Sequence, residues 1–484
     1  MKQYDVKYLW KCLVVIAVMM MLCKFSQGVM IGLAFPFLVF AFIRKKAETQ
    51  LFWLMFLTIS VSINSFFIPK GSLYGYIQRA SLMVVGIMSL PQFIGQRKNR
   101  VLVGLSGIFI YIVYMIIPSA TGWWPMVSYL KIFLFFTIFL ALLGIANSVV
   151  QNRFGDARKI RSVFLAFAIL LIFGSMALIP FPAIGQLSGA EYEEAIKAGQ
   201  EINSLFKGMT NQSQSLGPIV ATISSLLIAD MLFAIRKFDG LYGSLLLCVP
   251  YLIYSTSSRT AMGTFLVGCV AVLMLFMGEK NVRGRWRGKV VTWSSGIIVL
   301  LMTIALCSPN VQDAIMGYAL KRSGDVATED VTFENTISSR QALIDVALDD
   351  FKKKPMLGNG FQVDEMLVIR MGNSGGIPIS APVEKGVWIT AVLQEGGVVG
   401  FIVYVCFALA VGIKMKRMKY YCALLMFTIL HVTNLGEFTL FSMSGGGGFQ
   451  WSMVFLGVVM DEMRLRGYQV GGGRLKMLWV KRIK

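Results

Sequence analysis

Apolar runs of roughly 17–25 residues, the length a helix needs to cross a hydrocarbon core about 30 Å thick, recur along the whole chain with short polar connectors between them. They fall near 8–24, 27–43, 51–69, 74–95, 101–118, 130–150, 161–181, 216–235, 241–256, 260–278, 290–308, 387–413, 418–438 and 447–461. This pattern predicts an all-α polytopic integral membrane protein with about 12–14 transmembrane helices. A soluble fold is excluded, because 56% hydrophobic and 15% charged residues leave too little polar surface to cover a body of 484 residues in water.

The chain carries 46 Lys and Arg against 25 Asp and Glu, an excess that in a soluble protein would point to nucleic acid. Its placement points elsewhere. The bases cluster in alternate connectors, Arg44 to Lys46, Arg97 to Arg100, Arg153 to Arg161, Arg236-Lys237, Lys280 to Lys289 and Lys414 to Lys419, and in the tail from Arg464 to Lys484. By the positive-inside rule these connectors and both termini face the cytoplasm, so the charge records topology and no nucleic-acid partner is expected. The N-terminal run lacks a small-residue cleavage site and reads as an uncleaved anchor. All seven cysteines lie in apolar runs, which argues against a disulfide framework or a zinc site.

The same rule puts two long connectors, about 182–215 and 309–386, on the opposite face. The larger one divides the chain into N-terminal spans over 1–308, a loop or cap subdomain over 309–386, and C-terminal spans with a basic tail over 387–484. A structureless connector of this length is improbable, so short amphipathic helices are expected within it. Ile344, Ala347, Leu348 and Phe351 follow a spacing of three and four, while Arg340, Asp345, Asp349 and Lys352 take the other faces. Ser338 or Ser339 can cap this helix, and Pro355 with Gly358-Asn359-Gly360 ends it in a turn. Its apolar stripe would seat the loop on the membrane body.

Ionisable residues within or beside spans are costly and so mark function or buried pairing. Arg259 lies in the turn Tyr254 to Thr260 among hydroxyls, and Arg79 lies about one turn inside its span. Glu395 lies two turns into the span that follows the loop, Glu437 stands at a helix end before Gly445 to Gly448, and His431 is the only histidine. Arg79, Arg259 and Arg340 can gather at one membrane face, where planar, permanently charged guanidinium groups suit a phosphate-bearing lipid. Singly, Arg79 or Arg259 would also be explained by snorkelling to headgroups or by pairing with Glu395 or Glu437. For His431 a hydrogen bond to a neighbouring helix is the better reading, since no nucleophile motif accompanies it.

Ser255 to Gly268 in the turn, "SSRQALIDVALDDFKKKPMLGNGF" in the loop and "APVEKGVWITAVLQEGGVVGFIVYV" entering the next span together resemble the O-antigen ligase and polysaccharide polymerase superfamily of bacterial inner-membrane proteins. The motifs cover roughly 250–410, and their order carries the resemblance. It implies a helical membrane glycosyltransferase of the C type, working without metal or other cofactor. Such an enzyme takes a glycan from undecaprenyl pyrophosphate at the periplasmic face and passes it to a hydroxyl of an acceptor glycan. It also allows chain-length regulators and export proteins as partners. One departure matters: ligases of the family carry a His-Asn pair ahead of the Leu-x-Glu-x-Gly motif, and here that stretch reads Val383 to Trp388. The missing histidine favours a polymerase of repeat units over a ligase. A transporter or flippase is the reading from another class, but no repeat relates the two halves of the chain.

On this reading Arg259 and Arg340, with Arg79 as a third and Lys385 beside them, hold the leaving pyrophosphate, and Glu384 is the general base for the acceptor hydroxyl. Trp388 either stacks on a sugar or anchors its helix at the membrane boundary. Glu395 with Gly396, Gly397 and Gly400 is expected to brace helix packing.

Overall fold

The computed structural model describes residues 4–25, 46–68, 72–94, 99–151, 157–187, 206–235, 238–279, 288–294, 333–363, 386–436, 439–442 and 445–465. The protein is an all-α membrane body. Its helices are α1 (Val6–Phe25), α2 (Ala47–Ser60), α3 (Ser72–Met88), α4 (Leu90–Ile94), α5 (Arg100–Leu105), α6 (Ile108–Ala120), α7 (Pro125–Gln151), α8 (Ala157–Ala177) and α9 (Pro182–Gly185). They continue as α10 (Ser213–Ala229), α11 (Gly240–Ser255), α12 (Arg259–Gly278), α13 (Phe333–Lys353), α14 (Trp388–Arg417), α15 (Tyr421–Thr433) and α16 (Gly446–Leu465). Among the described residues seven helical stretches are long and apolar enough to cross a membrane, and α11 and α15 are shorter apolar helices. The expected span at 27–43 lies outside the described residues, as does most of that at 290–308.

Helix α10 is the axis of the body, buried almost throughout and packed against α11, α12, α15 and α16. Helix α7 packs on α3, α6 and α16. Close crossings depend on small residues: a Cβ at Gly86 would meet Thr137, one at Gly268 would meet Ser225, and one at Gly457 would meet the backbone of Cys422 and Ala423. Helices at the rim expose large apolar side chains, such as Leu247 at 82% and Met274 at 70%. In water these would be a liability, whereas acyl chains make them the natural outer surface of a membrane protein.

Two boundaries differ from expectation. The run at 51–69 is not one span, because α2 stops at Ser60 and the chain turns. Asn64 stabilises that turn, its Nδ2 donating to the carbonyls of Ile184 and Gly208 and its Oδ1 accepting from Phe66 N–H. Helix α13 begins at Phe333, ahead of Ser338 and Ser339, which therefore do not cap it. Phe333 and Ile337 carry the three-four spacing backwards, and a serine inside a helix costs only a few tenths of a kcal/mol. The other end is as expected, with the last helical residue Lys353 just before Pro355. Asp349 and Lys352 pair on the exposed face of α13 at 2.8 Å, and the ammonium holds the Asp349 carboxyl below its usual range.

Candidate functional site

The loop that leaves α13 is set into a break in α14. Gly397 has φ 62 and ψ −168, a conformation that ends one helical half and starts the next. Across the break, Val398 N–H donates to the Pro355 carbonyl at 2.9 Å, Gly360 N–H to the Glu395 carbonyl at 3.1 Å, and Asn359 N–H to the Gln394 carbonyl at 3.0 Å. Tyr114 Oη donates to the Gly396 carbonyl at 2.7 Å. The backbone groups that a broken helix would leave bare in the membrane are thus completed by the Pro-x-x-Gly-x-Gly segment and by α6. Only glycines permit so close an approach: a Cβ at Gly397 would collide with the Met356 carbonyl, and one at Gly358 with the Glu395 carbonyl.

Beyond Gly360 the segment turns into the body. Phe361 is fully buried against Phe135 and Phe441, its N–H donates to Ser128 Oγ at 2.7 Å, and Lys131 Nζ on α7 donates to the Gln362 carbonyl at 2.7 Å. We refer to this end of the body as the capped end.

Several chain segments close a ring at the capped end. Asn211 N–H donates to the Ser62 carbonyl, Gly445 N–H to Thr58, and Trp388 N–H to Asn434. Asn434 Oδ1 accepts from Thr439 N–H. Gly217 of α10 lies against Thr256 and Ser258, and Gly436 lies against Thr260. Helices α10, α12, α14 and α16 all begin in this ring, so their positive ends face one region. Arg259 is the first residue of α12, in a tight turn where Ser257 takes φ 49 and Ser258 Oγ caps the helix by accepting Ala261 N–H. Arg79 is buried on α3, beside Gln78, whose Nε2 donates to the Leu57 carbonyl at the end of α2. The ring and its approaches therefore bring Arg79, Arg259 and Trp388 to one end, together with buried Lys131 and Lys207.

Neither lysine was singled out from the sequence. The signal available was a lone base close to the start of an apolar helix, Lys131 in Tyr129-Leu130-Lys131-Ile132, and a lone base shortly before α10.

The remaining expected residues are distributed as follows. Arg340 lies on α13, two turns inside its start. Glu384, Lys385 and Glu437 lie outside the described residues. The Trp388 ring stacks on Phe401 of its own helix and meets Tyr404 and the edge of His431, so its packing partners are aromatic side chains of the body. His431 Nδ1 donates to the Phe427 carbonyl at 2.7 Å, which leaves Nε2 to accept from Tyr404 Oη at 2.9 Å. The Tyr404 bond joins the half-buried histidine to a neighbouring helix, in keeping with the packing reading. Glu395 is fully buried at the break, and Gly396 and Gly400 receive the Tyr114 ring.

The opposite end is closed by ion pairs. Arg161 Nε lies 3.0 Å from Asp230 Oδ2 and its Nη2 donates to Oδ1 at 3.1 Å, while Tyr242 Oη donates to Oδ2 at 2.7 Å. Arg464 bridges Asp461 at 3.2 Å and Glu279 at 3.8 Å, and Tyr420 donates to Glu462. In the sequence Arg161 falls at the end of a basic connector. The structure buries it in a pair with Asp230, an acid whose presence inside the apolar stretch of 226–235 was the available signal.

Residues 243–379 match the family model described as O-antigen ligase, a stretch that runs from α11 through Arg259, α13 and the Pro355 to Gly360 segment. No curated protein matches the chain.

Proposed function

We propose that this membrane protein of the O-antigen ligase and polymerase superfamily is a glycosyltransferase. On our reading it joins undecaprenyl-pyrophosphate-linked repeat units into O-antigen or exopolysaccharide. The observation that carries this reading is the capped end. There the Arg259 turn and the N-termini of four helices meet in one ring, and the cap helix bearing Arg340 is tied to the membrane body beside it through the α14 break. Helix N-termini and fixed guanidinium groups both favour a phosphate-bearing ligand, and the matched residues include the arginines on α12 and α13.

In the reaction, the acceptor hydroxyl oxygen bonds to the anomeric carbon of the donor sugar as the bond from that carbon to the pyrophosphate oxygen breaks. The leaving pyrophosphate gains negative charge, which Arg259, Arg340, Arg79 and Lys385 neutralise without proton transfer. Glu384 takes the proton of the attacking hydroxyl. The capped end then faces the periplasm, with the basic connectors and both termini in the cytoplasm and the body in the bacterial inner membrane. Residues 309–386 act as the cap between the N-terminal and C-terminal spans.

Transfer to a lipid A-core acceptor is the second reading, favoured by the match to a family described as O-antigen ligase. The absence of a His-Asn pair over Val383 to Trp388 and the enclosed bonding of His431 support polymerisation instead. The test is the length of the glycan on undecaprenyl pyrophosphate that accumulates in a host lacking the gene, read by mass spectrometry. Single repeat units are expected, and full-length chains would overturn polymerisation in favour of ligation.

A further inference from the structure

Among the side-chain bonds at the seam between cap and membrane body, one joins the two helices directly. Gln394 Nε2 on α14 donates to Asp350 Oδ2 on α13 at 2.7 Å, with both residues buried. Asp350 Oδ2 is the acceptor, so the amide presents its NH2 here. The other oxygen, Asp350 Oδ1, accepts from Lys353 Nζ at 3.0 Å. Asn359 stands between the two helices: its Nδ2 donates to the Asp350 carbonyl at 2.8 Å, and its N–H to the Gln394 carbonyl at 3.0 Å.

We propose that Asp350 and Gln394, with Asn359 between them, are positioning residues that latch α13 in register on α14 and so set where Arg340 meets the leaving pyrophosphate. The inference rests on the reading of Arg340 as a pyrophosphate ligand. Helix α13 runs unbroken from Arg340 to Asp350, about 15 Å along its axis, so a shift at the latch is carried to the arginine. The segment that follows is held separately by the Val398, Gly360 and Phe361 backbone bonds. Loss of the latch therefore frees the pitch of the cap helix without detaching the segment.

The experiment uses the full chain in nanodiscs, with the host's own undecaprenyl-pyrophosphate-linked repeat unit as substrate, and pairs turnover with hydrogen exchange of the seam amides. Gln394→Glu sets two carboxylates against each other. It should lower kcat about tenfold or more while KM for the donor changes less than about twofold, because the loss falls on transition-state charge. The double variant Asp350→Asn with Gln394→Glu reverses donor and acceptor, and should return kcat to within about threefold of the parent.

Wild-type kcat in Gln394→Glu together with faster exchange at Asn359 would overturn the latch as a positioning device. So would a double variant that regains slow exchange without regaining turnover. Arg340→Ala separates the two readings: wild-type turnover there overturns the arginine's assignment, whereas loss there with an unaffected Gln394→Glu overturns the latch alone.

Discussion

The two ends of the body are finished by different chemistry. At the basic end, charges are matched inside the protein, as in the bidentate Arg161 to Asp230 pair with its Tyr242 hydrogen bond. At the capped end, many of the described joints are made by backbone amides, glycines and serines, from the Gly397 break to the Gly436 and Gly445 turns, and the charged groups Lys131 and Asp350 take part by bonding to the Gln362 carbonyl and to Gln394. Paired charges satisfy one another and need nothing else, so they make a permanent closure. Joints made through the backbone fix the shape of the capped end, where the proposed ligand would bind.

Substitutions at the two ends should therefore separate stability from turnover. The largest stability effect is expected from Asp230→Ala, which leaves Arg161 buried without its carboxylate and should cost about 3–5 kcal/mol. Thermal unfolding in detergent reads this loss, and turnover per folded molecule should stay at the parental level. If turnover collapsed as well, the division between the ends would fail. Arg259→Ala should do the converse, lowering kcat about 100- to 1,000-fold with unfolding unchanged, if it stabilises the leaving group as a fixed donor does.

Gly397→Ala tests the seam. A side chain there meets the Met356 carbonyl in a backbone conformation that costs about 1–3 kcal/mol for a residue other than glycine. Both unfolding temperature and turnover should fall, since this joint holds the body and the cap together. Tyr242→Phe should remove about 1.5–2 kcal/mol of stability, the scale of a hydrogen bond to a charged group, because Asp230 keeps Arg161 as its partner. The smallest effect is expected from His431→Gln, where kcat should change less than about threefold, because the ring serves two internal hydrogen bonds. A loss of 100-fold there would move the catalytic base to His431 and favour ligation.

The spans were legible because burial in lipid demands long apolar runs, and that demand is local in sequence. The end of α13 at Pro355 was legible for the same local reason, through the proline's restriction on its neighbours. The premature stop of α2 was not, because hydropathy across 61–68 stays high and the turn depends on Asn64 meeting carbonyls of Ile184 and Gly208. Asp230 and Arg161 are 69 positions apart, and nothing local to either marks the other as its partner. The Pro-x-x-Gly-x-Gly and Gln-Glu-Gly-Gly motifs were each visible, and their union was not. A glycine signals a close approach without naming what approaches. For the site, the sequence pointed to Arg79, Arg259 and Arg340 through charges set in or beside apolar runs, and Lys131 and Lys207, which are also buried, escaped it because a single base near a helix start is common.

The break in α14 bears on how the chain is made. A stretch inserted alone with Gly397 in its folded shape would bring the Val398 N–H and the carbonyls of Gln394 and Glu395 into hydrocarbon without partners, at several kcal/mol for each group. The ribosome delivers 355–360 before 394–398, so the complement to this helix is already synthesised when the helix emerges. The unit that enters the bilayer here is a helix together with a strip of preceding chain, and a truncation between them would yield a span with no completed interior.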